Sequence, residues 1–218
     1  MPDPPNIRAI LLAAGESRRI GFFPKPLLRL PGSSLTFVEH LTRSILQAVP
    51  QITIVLGAHA ARIRPVIAAH PEWSGSVAVA ENRNYLGGQL SSLKTALRLI
   101  TSSPESEPCD AVLVHLCDHP FVTAGTFQRI VAEYGWTRPF ILAARHRGRR
   151  GHPVVFSRAL FKELLDTPED QGARAVVNRD PARVAYVDVD DSGVTRDLDT
   201  PADLRAAGVD LPREAPPA

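Results

Sequence analysis

The chain has 218 residues, of which 44% are hydrophobic and 22% charged, and its formal net charge is +2. That size and balance describe one ordinary globular domain, or at most two small ones, able to bury a core without disulfides or structural metal. They give no argument for bulk nucleic-acid binding, no apolar run approaches the ~20 residues of a membrane span, and two cysteines, Cys109 and Cys117, form neither a disulfide framework nor a metal spacing, which points to reducing cytosol.

The opening Met1-Pro2-Asp3-Pro4-Pro5 lacks a basic flank and is expected to fray rather than act as a secretory signal. Arg8–Ala14 is predicted as a buried strand closed by Gly15. Leu35–Ala48 has helical periodicity and ends at Pro50. Ile52–Leu56 is a second strand, closed by Gly57. His59–Ala69 is a helix, and Val77–Ala80 a third strand. Gln89–Ile100 is a helix with Ser91 and Ser92 in its first turn, and Thr101–Pro108 a polar surface loop. Ala111–Leu116 is a fourth strand, a helix runs from Thr123 to about Tyr134, and Phe140–Ala144 is a fifth strand. The tail Leu211–Ala218 is expected to fray. This rhythm predicts an α/β fold with three layers: a mostly parallel, twisted, Rossmann-like sheet between helices. We expect a single domain over residues 1–218 with an ordered core of about 7–208. Ligands in such sheets sit at the carboxyl ends of the strands, so the informative loops follow Ala14, Ala80, Cys117 and Ala144.

The first of these loops runs Leu12-Ala-Ala-Gly-Glu-Ser-Arg-Arg-Ile-Gly-Phe-Phe-Pro-Lys25. Ala13, Ala14 and Gly15 let the backbone approach a ligand, and exposed N–H groups there form an anion cradle. Arg18, Arg19 and Lys25 add cations suited to a triphosphate. Lys25 is one of only three lysines among 25 basic residues, so arginine is the default surface cation here. The loop is neither a Walker A motif nor a dinucleotide fingerprint. On chemistry alone, a surface turn with solvated arginines explains it equally well.

Leu12-Ala-Ala-Gly-x-Ser-x-Arg-x-x-Gly followed by Lys25-Pro-Leu-Leu28 resembles the signature loop of the MobA-like nucleotidyltransferases. The resemblance implies transfer of a nucleoside monophosphate from an NTP to an acceptor phosphate or alcohol, with Mg²⁺ as cofactor and pyrophosphate released. It places Leu12, Ala13, Ala14, Gly15, Glu16, Ser17 and Arg18 on the nucleotide. Lys25 then stabilises charge at the α-phosphorus, and Arg19 the leaving pyrophosphate. Two departures stand out: Ile20 where methionine is usual, and the apolar spacer Phe22-Phe23-Pro24.

Three further segments fit the same family. Asp118 follows the fourth strand and reads either as a helix cap or as a carboxylate for Mg²⁺. In the family pattern Asp-x-Pro makes it the metal aspartate, with His119 in the variable position and without a catalytic role. Near the end, Arg196-Asp-Leu-Asp-Thr-Pro resembles the closing motif, which gives Asp199 as the second metal carboxylate and Asp197 as another candidate. Thr200 caps the helix that starts at Pro201, and the two readings are compatible. Glu81–Leu93 offers Asn82, Gly88, Ser91 and Ser92 as nucleotide contacts, beside the plain alternative of a turn and a helix cap.

Arg145, Arg147, Arg149 and Arg150 form a basic loop, either solvated or facing an anionic acceptor. Arg-Gly-His-Pro-Val and Glu169-Asp-Gln-Gly-Ala-Arg174 resemble the molybdenum cofactor cytidylyltransferase branch. This implies CTP as donor, molybdopterin as acceptor, and Gly151, His152 and Arg174 as acceptor contacts, His152 by contact rather than proton transfer. It also implies a cytoplasmic enzyme with a molybdoenzyme or its chaperone as partner. The alternatives are GTP or another acceptor such as a sugar phosphate, and a non-catalytic carrier of nucleotide or pterin. A phosphate acceptor is already ionised at neutral pH, which fits the absence of an obvious general base.

Overall fold

A computed structural model describes residues 4–102 and 108–212. Its centre is a seven-stranded sheet in the order β3-β2-β1-β4-β6-β5-β7. The strands are β1 (Ile7–Ala13), β2 (Ile52–Leu56), β3 (Val77–Glu81), β4 (Ala111–Leu116), β5 (Ile141–His146), β6 (Arg149–Ser157) and β7 (Val184–Asp188). All neighbouring pairs are parallel except those made by β6, which runs antiparallel to β4 and β5.

Strand geometry sends alternate residues to opposite faces, and β1 shows it directly. Ala9, Leu11 and Ala13 join one core with helices α1 (Phe37–Leu46), α2 (Ala60–Ala68), α4 (Ala124–Thr137) and α7 (Pro201–Ala206). Ile10 and Leu12 join the other, with α3 (Gln89–Ser102), α5 (Phe161–Asp166) and α6 (Gly172–Arg179). The three-layer fold expected from the sequence is the one observed. No described helix is long and apolar enough to cross a membrane.

Five strands match the predicted runs; β6 and β7 are not among them, although Val184-Ala-Tyr-Val187 in β7 is an apolar run as long as Val77–Ala80. The basic loop expected at 145–150 is a hairpin, turned at Arg147 and Gly148 with φ of +48° and +78°. Two successive positive φ values give the tight turn whose twist suits antiparallel strands. Pro153 lies where the β5–β6 register shifts, between the Ala143–Val154 and Arg145–Arg150 pairs, so its missing N–H falls at a ladder irregularity. Thr101 and Ser102 extend α3 instead of opening a loop, and residues 103–107 lie outside the described residues. The two expected frayed ends fall largely outside them too.

Helix entry follows the capping chemistry. Thr36 and Glu39 form a reciprocal capping box on α1, and Thr200 and Asp203 form another on α7. The first box is tied down by His70, whose Nε2 meets Glu39 at 2.8 Å and whose Nδ1 meets Glu72 at 2.9 Å, with its ring stacked on Trp73. Glu39, then Glu72, raise the His70 pKa above the ordinary 6.5. The folded state therefore binds this proton more tightly than the unfolded chain. The stabilisation is complete below pH 6.5 and is lost as pH rises through the raised value. Accordingly, His70→Asn should lower the melting temperature most in mildly acidic buffer, with the difference shrinking as pH rises through the raised value. Equal losses across that range would contradict the clamp.

Candidate active site

The chain passes from β1 outward to β2 and β3, then returns to β4 on the other side of β1. The switch point therefore lies between the carboxyl ends of β1 and β4, where α/β sheets open a crevice. The loop after β1 and Asp118 after β4 meet there.

Ser17 shapes that first loop. Its φ is +57°, its carbonyl accepts from the N–H groups of Ile20 and Phe22 at 3.1 Å, and its hydroxyl accepts from Lys25 N–H at 3.2 Å. Ile20 and Phe23, the departures from the usual pattern, are buried and anchor the loop in the core, whereas Phe22 is exposed. Two residues beyond the motif brace it. Gly57 brings β2 against Ala14, where an added Cβ would stand 2.6 Å from the Ala14 carbonyl oxygen. His59 Nε2 meets the Glu16 carbonyl at 3.1 Å. Sequence reading passed over both, because Gly57 looks like a strand stop and His59 like an ordinary helix start.

The loop walls a cavity of about 440 Å³ lined by Leu12 through Ser17, Arg18, Lys25, Gly88, Ser92 and Asp118. Tyr85, Leu86 and Gln89 complete its far side. Gly88 has φ +85° and ψ −172°, a backbone state open only to glycine. Asn82 and Ser91 stand behind this wall rather than on it. The Asn82 amide donates to the hydroxyls of Ser91 and Ser92 at 2.8 and 2.9 Å, and Ser91 donates to the carbonyls of Asn84 and Gly88. Their polar atoms hold the glycine turn and the start of α3 in place.

Three carboxylates converge from distant sequence. The Leu198 N–H donates to the Asp118 carbonyl at 2.9 Å, which docks the closing motif on the end of β4. Asp199 accepts from Lys25 Nζ at 2.5 Å and from Arg19 Nη1 at 2.9 Å. Arg19 is thus at the exposed edge and off the cavity wall, while Lys25 is largely enclosed. Asp118 Oδ1 is buried and has no hydrogen-bond partner. Burial pushes the Asp118 carboxyl above its ordinary range; His119 and Lys25 oppose this, and Asp199 and Asp197 add to it. Among the described residues, no three His, Cys, Asp or Glu side chains form a metal cage. An orphaned, enclosed carboxylate beside a second one is instead the donor set for a hard cation that takes one or two carboxylates and fills its remaining positions with phosphate oxygens and water. Burial also holds the Cys117 thiol protonated, well above its ordinary pKa, so it is no nucleophile at neutral pH.

A second cavity of about 710 Å³ opens beside the first and shares Leu12, Gln89 and Leu116 with it. Gly151, His152 and Arg174 line it, as do Arg149, Arg150 and Asp197. Arg145 is committed elsewhere, in a two-bond contact with Asp188 at 2.7 Å over the Tyr186 ring. Arg147 forms the hairpin turn. Burial, then the neighbouring His119, lowers the His152 pKa to about 4, so its ring is neutral at pH 7. Gly151 also has a packing reason to be glycine, since an added Cβ would lie 1.8 Å from the Val194 carbonyl oxygen. Backbone cannot give way as a flexible side chain does. Gly151→Ala should therefore cost about 3 kcal/mol or more, seen as a fall of about 6–12 °C in Tm. An unchanged Tm would mean that residues 192–195 move freely from the strand.

The MobA-like NTP transferase domain matches residues 9–184, a span holding the first loop, Asp118 and the β5–β6 hairpin. The chain belongs to this family. Its relatives include the nicotine blue oxidoreductase of Paenarthrobacter nicotinovorans, 28% identical over 91% of this chain and 94% of that protein. The crystal structure of Rv0371c from Mycobacterium tuberculosis H37Rv is 28% identical, covers 94% of this chain and 98% of that one, and has a TM-score of 0.73. The manganese complex of the same mycobacterial protein is 29% identical over 93% of this chain and 97% of that one, with a TM-score of 0.68.

Proposed function

We propose that the protein is a cytoplasmic, single-domain, Mg²⁺-dependent nucleotidyltransferase that moves a cytidylyl group from CTP to molybdopterin. The observation that carries this reading is the contiguity of the two cavities, with the enclosed Asp118 carboxylate on the wall of the smaller one and the Lys25–Asp199 pair near enough to act on its charge. In this account the N–H groups of the first loop hold the triphosphate in the smaller cavity, and Gly88 and Ser92 border the nucleoside. Lys25 and Arg19 pass from Asp199 to the phosphates, Lys25 at the α-phosphorus and Arg19 at the leaving pyrophosphate. An acceptor phosphate oxygen forms a new bond to the α-phosphorus as the bond to the β-phosphate oxygen breaks, and pyrophosphate leaves with that electron pair. No proton has to move from an acceptor phosphate that is already ionised. Asp118 and Asp199 would hold Mg²⁺, which supplies charge neutralisation and alignment of the two phosphates. The manganese complex of the mycobacterial relative supports a divalent cation.

The larger cavity argues for the acceptor class. Leu90, Leu93, Val154 and Phe156 give it apolar walls, and Arg149, Arg150 and Arg174 a cationic rim. Gln89, Glu169, Gln171 and Thr195 add hydrogen-bonding groups to the same lining, which together suits a flat ring system that carries polar edges and an anion. The resemblance of the hairpin and of residues 169–174 to the cytidylyltransferase branch supports molybdopterin and CTP. A molybdoenzyme or its chaperone would receive the product.

Pyrophosphate release with Mg²⁺ and each of the four NTPs, with and without molybdopterin, tests this. Release with CTP that depends on the pterin is expected. Release with another NTP or acceptor alone would refute the finer assignment. Redox turnover of nicotine blue without pyrophosphate release would favour the chemistry named for the Paenarthrobacter relative. Ligand binding with neither reaction would make the chain a carrier.

A further inference from the structure

Asp118 and His119 are adjacent in sequence but face different cavities. Asp118 borders the smaller, nucleotide-side cavity and His119 the larger, acceptor-side one. The His119 Nε2 stands 3.9 Å from Asp118 Oδ1, the carboxylate oxygen that is buried without a partner. The nearby cation, Lys25, is already engaged by Asp199. His119 is itself well held. Its carbonyl meets His115 Nε2 at 3.1 Å, its N–H donates to the Leu116 carbonyl at 3.2 Å, and its ring packs 5.3 Å from that of His152.

The surroundings choose the tautomer. His119 Nδ1 is buried and unpartnered. A proton on Nδ1 would be a buried donor with nothing to bind, and it would turn the Nε2 lone pair towards a carboxylate. A proton on Nε2 removes both costs. An approach of about 1 Å, within the reach of side-chain torsions, converts the 3.9 Å contact into a hydrogen bond.

We propose that His119 is a positioning residue for Asp118: its Nε2–H holds Oδ1 and so leaves Oδ2 aimed at the divalent cation. This rests on the reading of Asp118 as the metal carboxylate. A hydrogen-bonded outer partner fixes the orientation of a ligating carboxylate, and its loss weakens metal binding without removing a ligand. The sequence pattern gives no hint of this, since the residue between Asp and Pro is the variable one.

The test is Mn²⁺ affinity of the full chain, read by electron paramagnetic resonance with CTP present. His119→Phe keeps a ring and removes the donor, and His119→Leu replaces it should the larger ring unfold the chain. His119→Gln restores an N–H near the Nε2 position. His119→Phe should weaken Mn²⁺ binding about 10–100-fold while His119→Gln stays within about threefold of the parent, and CTP binding in EDTA should be unchanged in both. Parent-like Mn²⁺ affinity in His119→Phe, or equal weakness in His119→Gln, overturns the proposal and leaves His119 a packing residue. Asp118→Asn serves as the separate control. If it binds Mn²⁺ as tightly as the parent, the metal reading of Asp118 falls, and this inference with it.

Discussion

Asp118→Asn is expected to lower kcat/KM for nucleotidyl transfer by about 10³-fold or more, equivalent to several kcal/mol of lost transition-state stabilisation. Asn has nearly the same shape, so the end of β4 and the Leu198 contact to the Asp118 carbonyl persist. What is lost is the negative charge that, in the proposed mechanism, draws the cation to the wall of the smaller cavity. Stability should move the other way. Burial raises the Asp118 pKa above the ordinary 3.8, so the folded state binds its proton more tightly than the unfolded chain does. The folded protein is therefore increasingly penalised as pH rises from 3.8 through the raised value. Asn carries no such penalty. In EDTA, thermal unfolding of Asp118→Asn should exceed the parent at pH 7–8, with the gain fading in acid, below about the pKa of a free carboxyl. A variant that is inactive and more stable identifies a group kept for function at the expense of the fold. Near-normal turnover would remove Asp118 from the chemistry.

Lys25→Ala should also cost about 10³-fold in turnover, the scale for removing one preorganised cation or donor from a phosphoryl-transfer site. Its consequence for stability is opposite in sign. Lys25 separates two carboxylates, pairing directly with Asp199 and lowering the pKa of Asp118 against burial. Removing it leaves Asp199 with the exposed Arg19 and brings the two negative charges into uncompensated proximity. The melting temperature should fall at neutral pH. Lys25→Arg should not restore activity, because a planar fork does not replace a compact charge seated under Asp199. Turnover of Lys25→Ala close to the parent would place the triphosphate elsewhere.

The sheet was readable wherever burial on both faces produces a run of apolar residues, as in Ala9–Ala13 and Ile52–Leu56. It was unreadable at β6, where arginines, two of them on the cavity wall, open a strand that also holds Gly151 and Pro153. The edge strand β7 did carry a signal that went unread, the run Val184-Ala-Tyr-Val187, as long as the run of β3. The first loop was legible because its residues act locally on the backbone. The bracing by Gly57 and His59 was not, since each acts across space on Ala14 or Glu16. Asn82 and Ser91 show the converse. Their residue types suit a ligand, and only the hydrogen-bond network reveals that their polar atoms are spent on one another and on the turn. The orphaned nitrogens of His115, His119 and His152 likewise emerge only when β4, the following turn and β6 are brought together.

The most direct test of the account follows the α-phosphorus. The full chain is incubated with CTP labelled at that atom, a divalent cation and molybdopterin, and the labelled products are separated. The account predicts that the label moves onto the pterin in amounts equal to the pyrophosphate released, and that Asp118→Asn and Lys25→Ala abolish both. Label that stays on the nucleotide, with no pyrophosphate formed by any of the four labelled NTPs, would contradict it.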